Sequence, residues 1–194
     1  MNVYIEKDFE FQAGICFQSE FMLGLYKSTL LMTVNTTSIR EQNIAMERIK
    51  YFINDVLKNI FFIPDYQIDI KRSMKQLGFN ICCITDEPYD QLISVILLLK
   101  LNAITEGRIR IDSIKISSSL SDNVTFFTTL EEAQEALPSK DWWNDFGRNI
   151  TACVTKNSNV FTLQPNEDWD SINLGWKESA ASSDNNVTSI LDKI

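Results

Sequence analysis

The 194 residues include no histidine. The one side chain whose ordinary pKa lies near neutral pH is therefore missing, and with it the commonest general base and the commonest metal ligand. Cysteine is scarce. Cys16, Cys82, Cys83 and Cys153 form no C-x-x-C pair, so they read as buried reduced thiols rather than a zinc or redox centre. Only six glycines occur, and G-x-x-x-x-G-K-[ST], G-x-G-x-x-G and G-x-S-x-G are all absent. Phosphate-cradling loops and the nucleophile elbow are thereby set aside. Basic residues are in deficit. A net charge of -8 argues against a phosphate-binding surface, so no nucleic acid partner is expected. Long apolar runs are lacking too. The most apolar stretch, residues 92–104, is interrupted by Lys100 and falls short of the roughly 20 residues needed to cross a bilayer. It reads as a buried helix. The N-terminal stretch lacks a charged region followed by an apolar run, so no signal peptide and no membrane partner are expected. The expected location is cytoplasmic.

What remains is a globular composition with 44% apolar residues. Residues 3–17 and 25–36 have β-favouring types, and predict two antiparallel strands joined by a long connection, with a bulge at Gly14. Ser38 and Glu41 form an S-x-x-E capping box ahead of a helix. That helix carries Ile44, Ile49, Phe52, Ile53, Val56, Leu57 and Ile60 on one face, and its end is expected near Pro64. A shorter helix ends at Gly78, and residues 79–85 form a short strand. The buried helix over 88–106 is expected to be capped by Asp86 or Asp90. A strictly alternating strand begins at Arg108, and "VTFFTT" closes the block. The order predicts an α+β domain over residues 1–130, an antiparallel sheet with helices on one face.

Residues 131–194 differ in kind. They carry eleven acids against five bases and all four tryptophans: Trp142, Trp143, Trp169 and Trp176. A short helix is expected near 130–136 and a strand pair at 150–155 and 159–163. Residues 131–176 thus read as an acidic arm, and 177–194 as a polar tail, expected to be mobile. The tryptophans are expected anchors, packing either on their own domain or on a neighbouring subunit.

Several short stretches resemble the tunnelling-fold enzymes, which include 6-pyruvoyl-tetrahydropterin synthase and carboxy-tetrahydropterin synthase. Their first strand reads about F-x-A-[AG]-H, where this chain has Phe11-Gln12-Ala13-Gly14-Ile15. Their second strand opens His-Gly-His, where this chain has Leu23-Gly24-Leu25. Their later helix begins P-T-x-E-N, where Pro88-Tyr89-Asp90-Gln91-Leu92 stands here, and a Val-x-Glu-Thr motif is matched by Ile114-Lys115-Ile116-Ser117-Ser118. The resemblance spans about residues 9–127 and implies a ββααββ outline and rings built by joining sheets edge to edge. It places the three zinc ligands at Ile15, Leu23 and Leu25, the nucleophilic cysteine at Ser19 and the ring-anchoring glutamate at a serine. Aliphatic side chains cannot coordinate zinc, so the resemblance implies a metal-free relative with no catalytic residue and no cofactor. The runs "EQNIAMERI" and "KLNAITEGRI" also resemble an uncharacterised protein family of tailed bacteriophages, which would put the chain in the host cytoplasm or the virion.

Two functions follow as expectations. One is a non-catalytic homo-oligomeric assembly or interaction protein, clasped by its tryptophan arm. The other is a small-molecule binder, or a zinc-free enzyme, holding a pterin- or purine-like heterocycle between subunits with a partly buried acid or amide. Its candidate pocket residues are Gln12, Ser19, Gln91 and Ser117. A monomeric adaptor docking through its acidic arm is a third. The carboxylates Asp86, Glu87 and Asp90 read as helix-capping groups. Residues 117–123 read as a strand end and turn, and Arg108, Arg110 and Asp112 as an exposed ion-paired face.

Overall fold

The computed structural model describes residues 3–136, 169–170 and 172–176. Six strands of the described residues form one sheet: β1 (Val3–Phe17), β2 (Glu20–Val34), β3 (Phe61–Pro64), β4 (Ile81–Ile84), β5 (Ile109–Ser118) and β6 (Phe126–Thr129). Their spatial order is β4-β3-β1-β2-β5-β6. The described residues form four α-helices, α1 (Ile39–Tyr51), α2 (Ile68–Gln76), α3 (Asp90–Thr105) and α4 (Leu130–Ala136). The α+β class and the antiparallel block β1-β2-β5-β6 agree with the expectation from sequence.

The hairpin differs in detail. β1 and β2 pair without interruption from Val3↔Val34 to Phe17↔Glu20. Only Gln18 and Ser19 connect them, both with positive φ (48° and 69°), as a tight hairpin turn twisted to match its strands demands. The expected long connection is absent because β2 begins at Glu20. There is no bulge at Gly14. That glycine is required for another reason: a Cβ there would lie 2.2 Å from the Phe61 ring, which crosses directly above it. The irregularity in the sheet falls between β2 and β5 at Leu31/Met32. There Asn102 of α3 donates to the Ile111 carbonyl and accepts from the Ile111 amide, both at 3.0 Å, tying helix to strand.

The long helix also ends earlier than expected. Ser38 caps α1 by accepting from the Glu41 amide, while the Glu41 carboxylate accepts from Thr36 rather than closing the box. After Tyr51 the chain widens into a π turn, Phe52–Val56, and Asn59 takes φ 61°. The β-favouring run Phe61-Phe62-Ile63 then leaves the helix and pairs parallel to β1. β4 adds on in parallel.

These two parallel strands bring in a second helical layer. α1, α3 and α4 share one core with Phe9, Phe11, Ala13 and Ile15 of β1 and Tyr26, Leu30 and Met32 of β2. Met74 of α2 instead packs with Cys16, Ile63, Ile81 and Cys83. Successive strand residues face opposite ways, so α2 covers the other face of the sheet, over β3, β4 and the Cys16 end of β1. The rest of that face, on β1, β2, β5 and β6, carries no helix among the described residues. α3 is buried almost all round, from Ile93 to Leu101 and again at Ile104, and each buried Leu or Ile contributes about 1.5–3 kcal/mol. No described helix is long and apolar enough to cross a membrane.

The packed body extends past residue 130: Ala133 of α4 is fully buried. The strand pair expected at 150–155 and 159–163, Trp142, Trp143, Cys153 and the tail 177–194 lie outside the described residues.

Candidate functional site

Strand alternation decides what the bare face of the sheet presents. Residues of β1 with odd numbers from Phe9 to Ile15 point to the helices, as do Gly24, Tyr26, Leu30 and Met32 of β2. Asp8, Glu10 and Gln12 of β1 therefore face away, with Phe21, Leu23, Leu25, Lys27, Thr29 and Leu31 of β2.

At the hairpin end this face is apolar. Phe21 is 49%, Leu23 61% and Leu25 47% exposed. The patch continues across Gly14 through edge-to-face ring contacts, Phe21 to Phe61 at 6.1 Å and Phe61 to Phe79 at 5.4 Å. Half-exposed aliphatic and aromatic residues in one contiguous row are the usual mark of a contact surface. Midway along, the face turns polar. An open trough of about 380 Å³ runs between Asp8, Glu10, Lys27, Thr29, Lys115 and Ser117. Glu10 and Lys27 pair at 3.8 Å, both well exposed, a contact that contributes little in water. Thr29 donates to Asp8 at 2.7 Å.

The zinc positions implied by the family resemblance do not fit a metal. Leu23 and Leu25 share the bare face, but Ile15 points to the helices and is 5% exposed. The β1 positions facing Leu23 and Leu25 are Gly14 and Gln12, so the match placed its first ligand on the wrong face by one residue. Aliphatic side chains on opposite faces form no coordination site whatever the register.

The four candidate pocket residues are not brought together. Gln12 and Ser117 lie on the bare face, and Ser117 lines the trough opposite Lys27. Ser19 is exposed in the hairpin turn, and Gln91 is exposed on α3, across the sheet.

A different polar cluster lies under the helices, where sequence reasoning placed only caps. Tyr89, not Asp86 or Asp90, is the N-cap of α3, with no side-chain cap bond. Asp90 turns inward, is 6% exposed and accepts from Ser121 at 2.7 Å. Close by, the Tyr26 ring stacks on Phe11. Tyr26 is fully buried, and its hydroxyl has no hydrogen-bond partner among the described residues. Burial, reinforced by the Asp90 charge, pushes its phenol well above the usual range. Ser118 is buried beside them and bonds Ser121. Glu87, by contrast, accepts from exposed Tyr66 and from the Gln18 amide, pinning the hairpin turn.

The third constellation joins Arg48 to the C-terminal segment. Arg48 is 1% exposed although it sits on α1. Its guanidinium lies 4.4 Å from the Trp169 ring and 3.8 Å from that of Trp176. Its Nε donates to the Leu174 carbonyl at 2.8 Å, and Nη1 donates to the Ile104 carbonyl at 3.0 Å and to Glu106 at 2.8 Å. Burial lowers its pKa, opposed by the Glu106 carboxylate. Trp176 Nε1 donates to Glu106 at 2.7 Å, and the Arg108 guanidinium also lies over the Trp176 ring, at 4.4 Å. Trp169, 8% exposed, meets Tyr51 edge-on. Two of the four expected anchors are thus seated on their own chain. Arg48 was legible in principle: it falls between Ala45 and Phe52 on the apolar stripe of α1, where a cation calls for a partner. Arg110 pairs with Asp112 at 2.6 Å as expected, while Arg108 turns to Glu106.

Fold and site together define a one-sheet α+β protein with a largely bare sheet face and a self-docked C-terminal segment. Among solved structures the fold is similar to an uncharacterized protein of Wolinella succinogenes, 14% identical, covering 66% of this chain and 98% of that one with a TM-score of 0.47. It is also similar to 6-pyruvoyltetrahydropterin synthase of Plasmodium vivax (12% identity, 66% and 97% coverage, TM-score 0.43) and of Plasmodium falciparum (14%, 66% and 96%, 0.41). No family model and no curated protein matches the chain.

Proposed function

We propose that this protein is a non-catalytic, self-associating assembly or interaction protein. The observation that carries this reading is the apolar row Phe21, Leu23 and Leu25, continued by Phe79, exposed on the part of the sheet face that no described helix covers. Burying such a row against a partner would return about 25 cal/mol for each Å² of apolar surface removed from water. The mixed charges further along, Asp8 and Glu10 against Lys27 and Lys115, would set the register of the pair rather than its strength. Leu23→Asp with Leu25→Asp tests it. Both side chains are exposed, so the fold should survive, and sedimentation should show an associating wild type and a monomeric variant. Equal sedimentation of the two would sink the reading.

A second reading has its own observation. The buried acid Asp90 beside the unpartnered Tyr26 hydroxyl is the kind of group that would anchor a small heterocycle. Tyr26→Phe separates the cases. If nothing binds there, losing an unsatisfied hydroxyl leaves stability equal or higher. If a retained molecule uses it, the variant loses stability and the molecule together.

A further inference from the structure

The segment of residues 169–170 and 172–176 is attached largely through one arginine. It joins no strand of the sheet and extends no helix. Its anchoring contacts are those of a peptide in a cleft: two indole faces on the Arg48 guanidinium, the Leu174 carbonyl on Arg48 Nε, and the Trp176 carbonyl on Arg40. Arginine and tryptophan are the residues on which protein interfaces concentrate their affinity. The cleft is also matched in charge. Arg40, Arg48 and Arg108 line it, and the one charged residue of the segment that fills it, Asp170, is an acid whose charge favours the Arg48 cation.

Every cleft group lies at or before residue 108. The covalent tie from Ala136 to Trp169 runs through 32 residues. A chain of that length can span about 110 Å, roughly twice the length of β1 at its 15 residues. The seat therefore offers the same contacts to its own segment and to that of a neighbour, and the choice is set by effective concentration. Copies held together through their sheet faces bring a second cleft within the same reach.

We propose that the Arg48 cleft is an exchange site: in the assembled protein it takes the Trp169–Trp176 segment of a second copy, and the two copies clasp each other. The proposal rests on the self-association reading above. Ile172 is 37% exposed and lines a groove with Lys50 and Tyr51 at the rim of the cleft, so it can carry a reporter. A photo-reactive residue is placed at position 172. Protein labelled with heavy nitrogen is mixed with unlabelled protein, and the two are unfolded and refolded together at about 50 µM. After irradiation, the peptides joined to α1 are read by mass, and the same sample is sized. Exchange predicts an oligomer in which about half of the cross-links join heavy to light peptides. An oligomer with only same-isotope cross-links overturns the exchange and leaves the self-association standing. A monomer overturns both. Should the reporter chain fail to fold, Arg48→Met protein is mixed with Trp169→Ala/Trp176→Ala protein. Exchange predicts that the mixture forms a clasp neither variant can form alone and melts above both, and a mixture that melts as its parts do refutes it.

Discussion

Replacing Trp169 and Trp176 by alanine, singly and together, probes the energetics of the docked segment. Trp169 is almost fully buried, and truncating a buried tryptophan to alanine costs about 3–5 kcal/mol. Trp176 is half-buried, but it stacks on Arg48 and Arg108 and bonds Glu106. Its contacts come to about 2–3 kcal/mol when each desolvated cation–π contact counts for about 1 kcal/mol. Independent losses would sum to about 6 kcal/mol. The structure gives a reason for a smaller total. The segment supplies both ring faces and one of the carbonyls that enclose Arg48. Once either ring is lost and the segment leaves, the guanidinium regains water and the remaining contacts are already gone. Each single variant should cost about 3 kcal/mol and the double variant hardly more, about 4 kcal/mol. At about 2–4 °C per kcal/mol for a chain this size, the single variants should melt about 6–12 °C lower, and the double only about 2–4 °C below them. Thermal and urea unfolding followed by far-UV circular dichroism measures all three. Arg48→Met supplies the control. It removes the cation that both rings and the Leu174 and Ile104 carbonyls share and leaves those acceptors without a donor, so it should undock the segment and cost about as much as Trp169→Ala. Additive costs near 6 kcal/mol, or single shifts under about 1 °C, would refute the idea that the segment docks as one unit.

Two further predictions concern the body of the fold. Gly14→Ala forces a methyl into the Phe61 ring and should cost about 1–3 kcal/mol. Phe61→Leu in the same chain should restore about half of it, and chemical denaturation of the two variants checks this. Stability should also fall on the alkaline side. The Cys82 thiol and the Tyr26 phenol are both held up by burial. They stay protonated in the fold while the unfolded chain ionises near pH 9 and 10. Their contribution is complete below those values and is lost as pH rises through them, by about 1.4 kcal/mol per pH unit for each group. Tyr26→Phe should flatten the loss above pH 10 in urea melts, and an unchanged slope would contradict the assignment.

Legibility in the sequence tracked local chemistry. α1 announced itself through Ser38 and its apolar stripe, and α3 through its unbroken apolar run. The α+β class followed from the order of periodic segments. Three features escaped for identifiable reasons. The Gln18-Ser19 turn lacks the Asn-Gly or Asp-Gly signal, so the sequence pattern starts β2 five residues late. Phe61-Phe62-Ile63 continues the apolar character of the helix before it, and only pairing with β1 makes it a strand. The face on which Ile15 falls depends on the register of β1 against β2, which an alternation of mostly apolar residues does not reveal. Asp90 misled most. An acid at a helix start reads as a cap, and only the fold shows it turned under the sheet toward Ser121.

Native mass spectrometry of gently purified protein tests the central claim most directly. The account predicts a defined oligomer with a mass equal to a whole number of polypeptides, converted to monomer by Leu23→Asp with Leu25→Asp. A monomer at every concentration would contradict it. An oligomer carrying a few hundred extra daltons per subunit would transfer the case to the Asp90–Tyr26 cluster and to a small-molecule function.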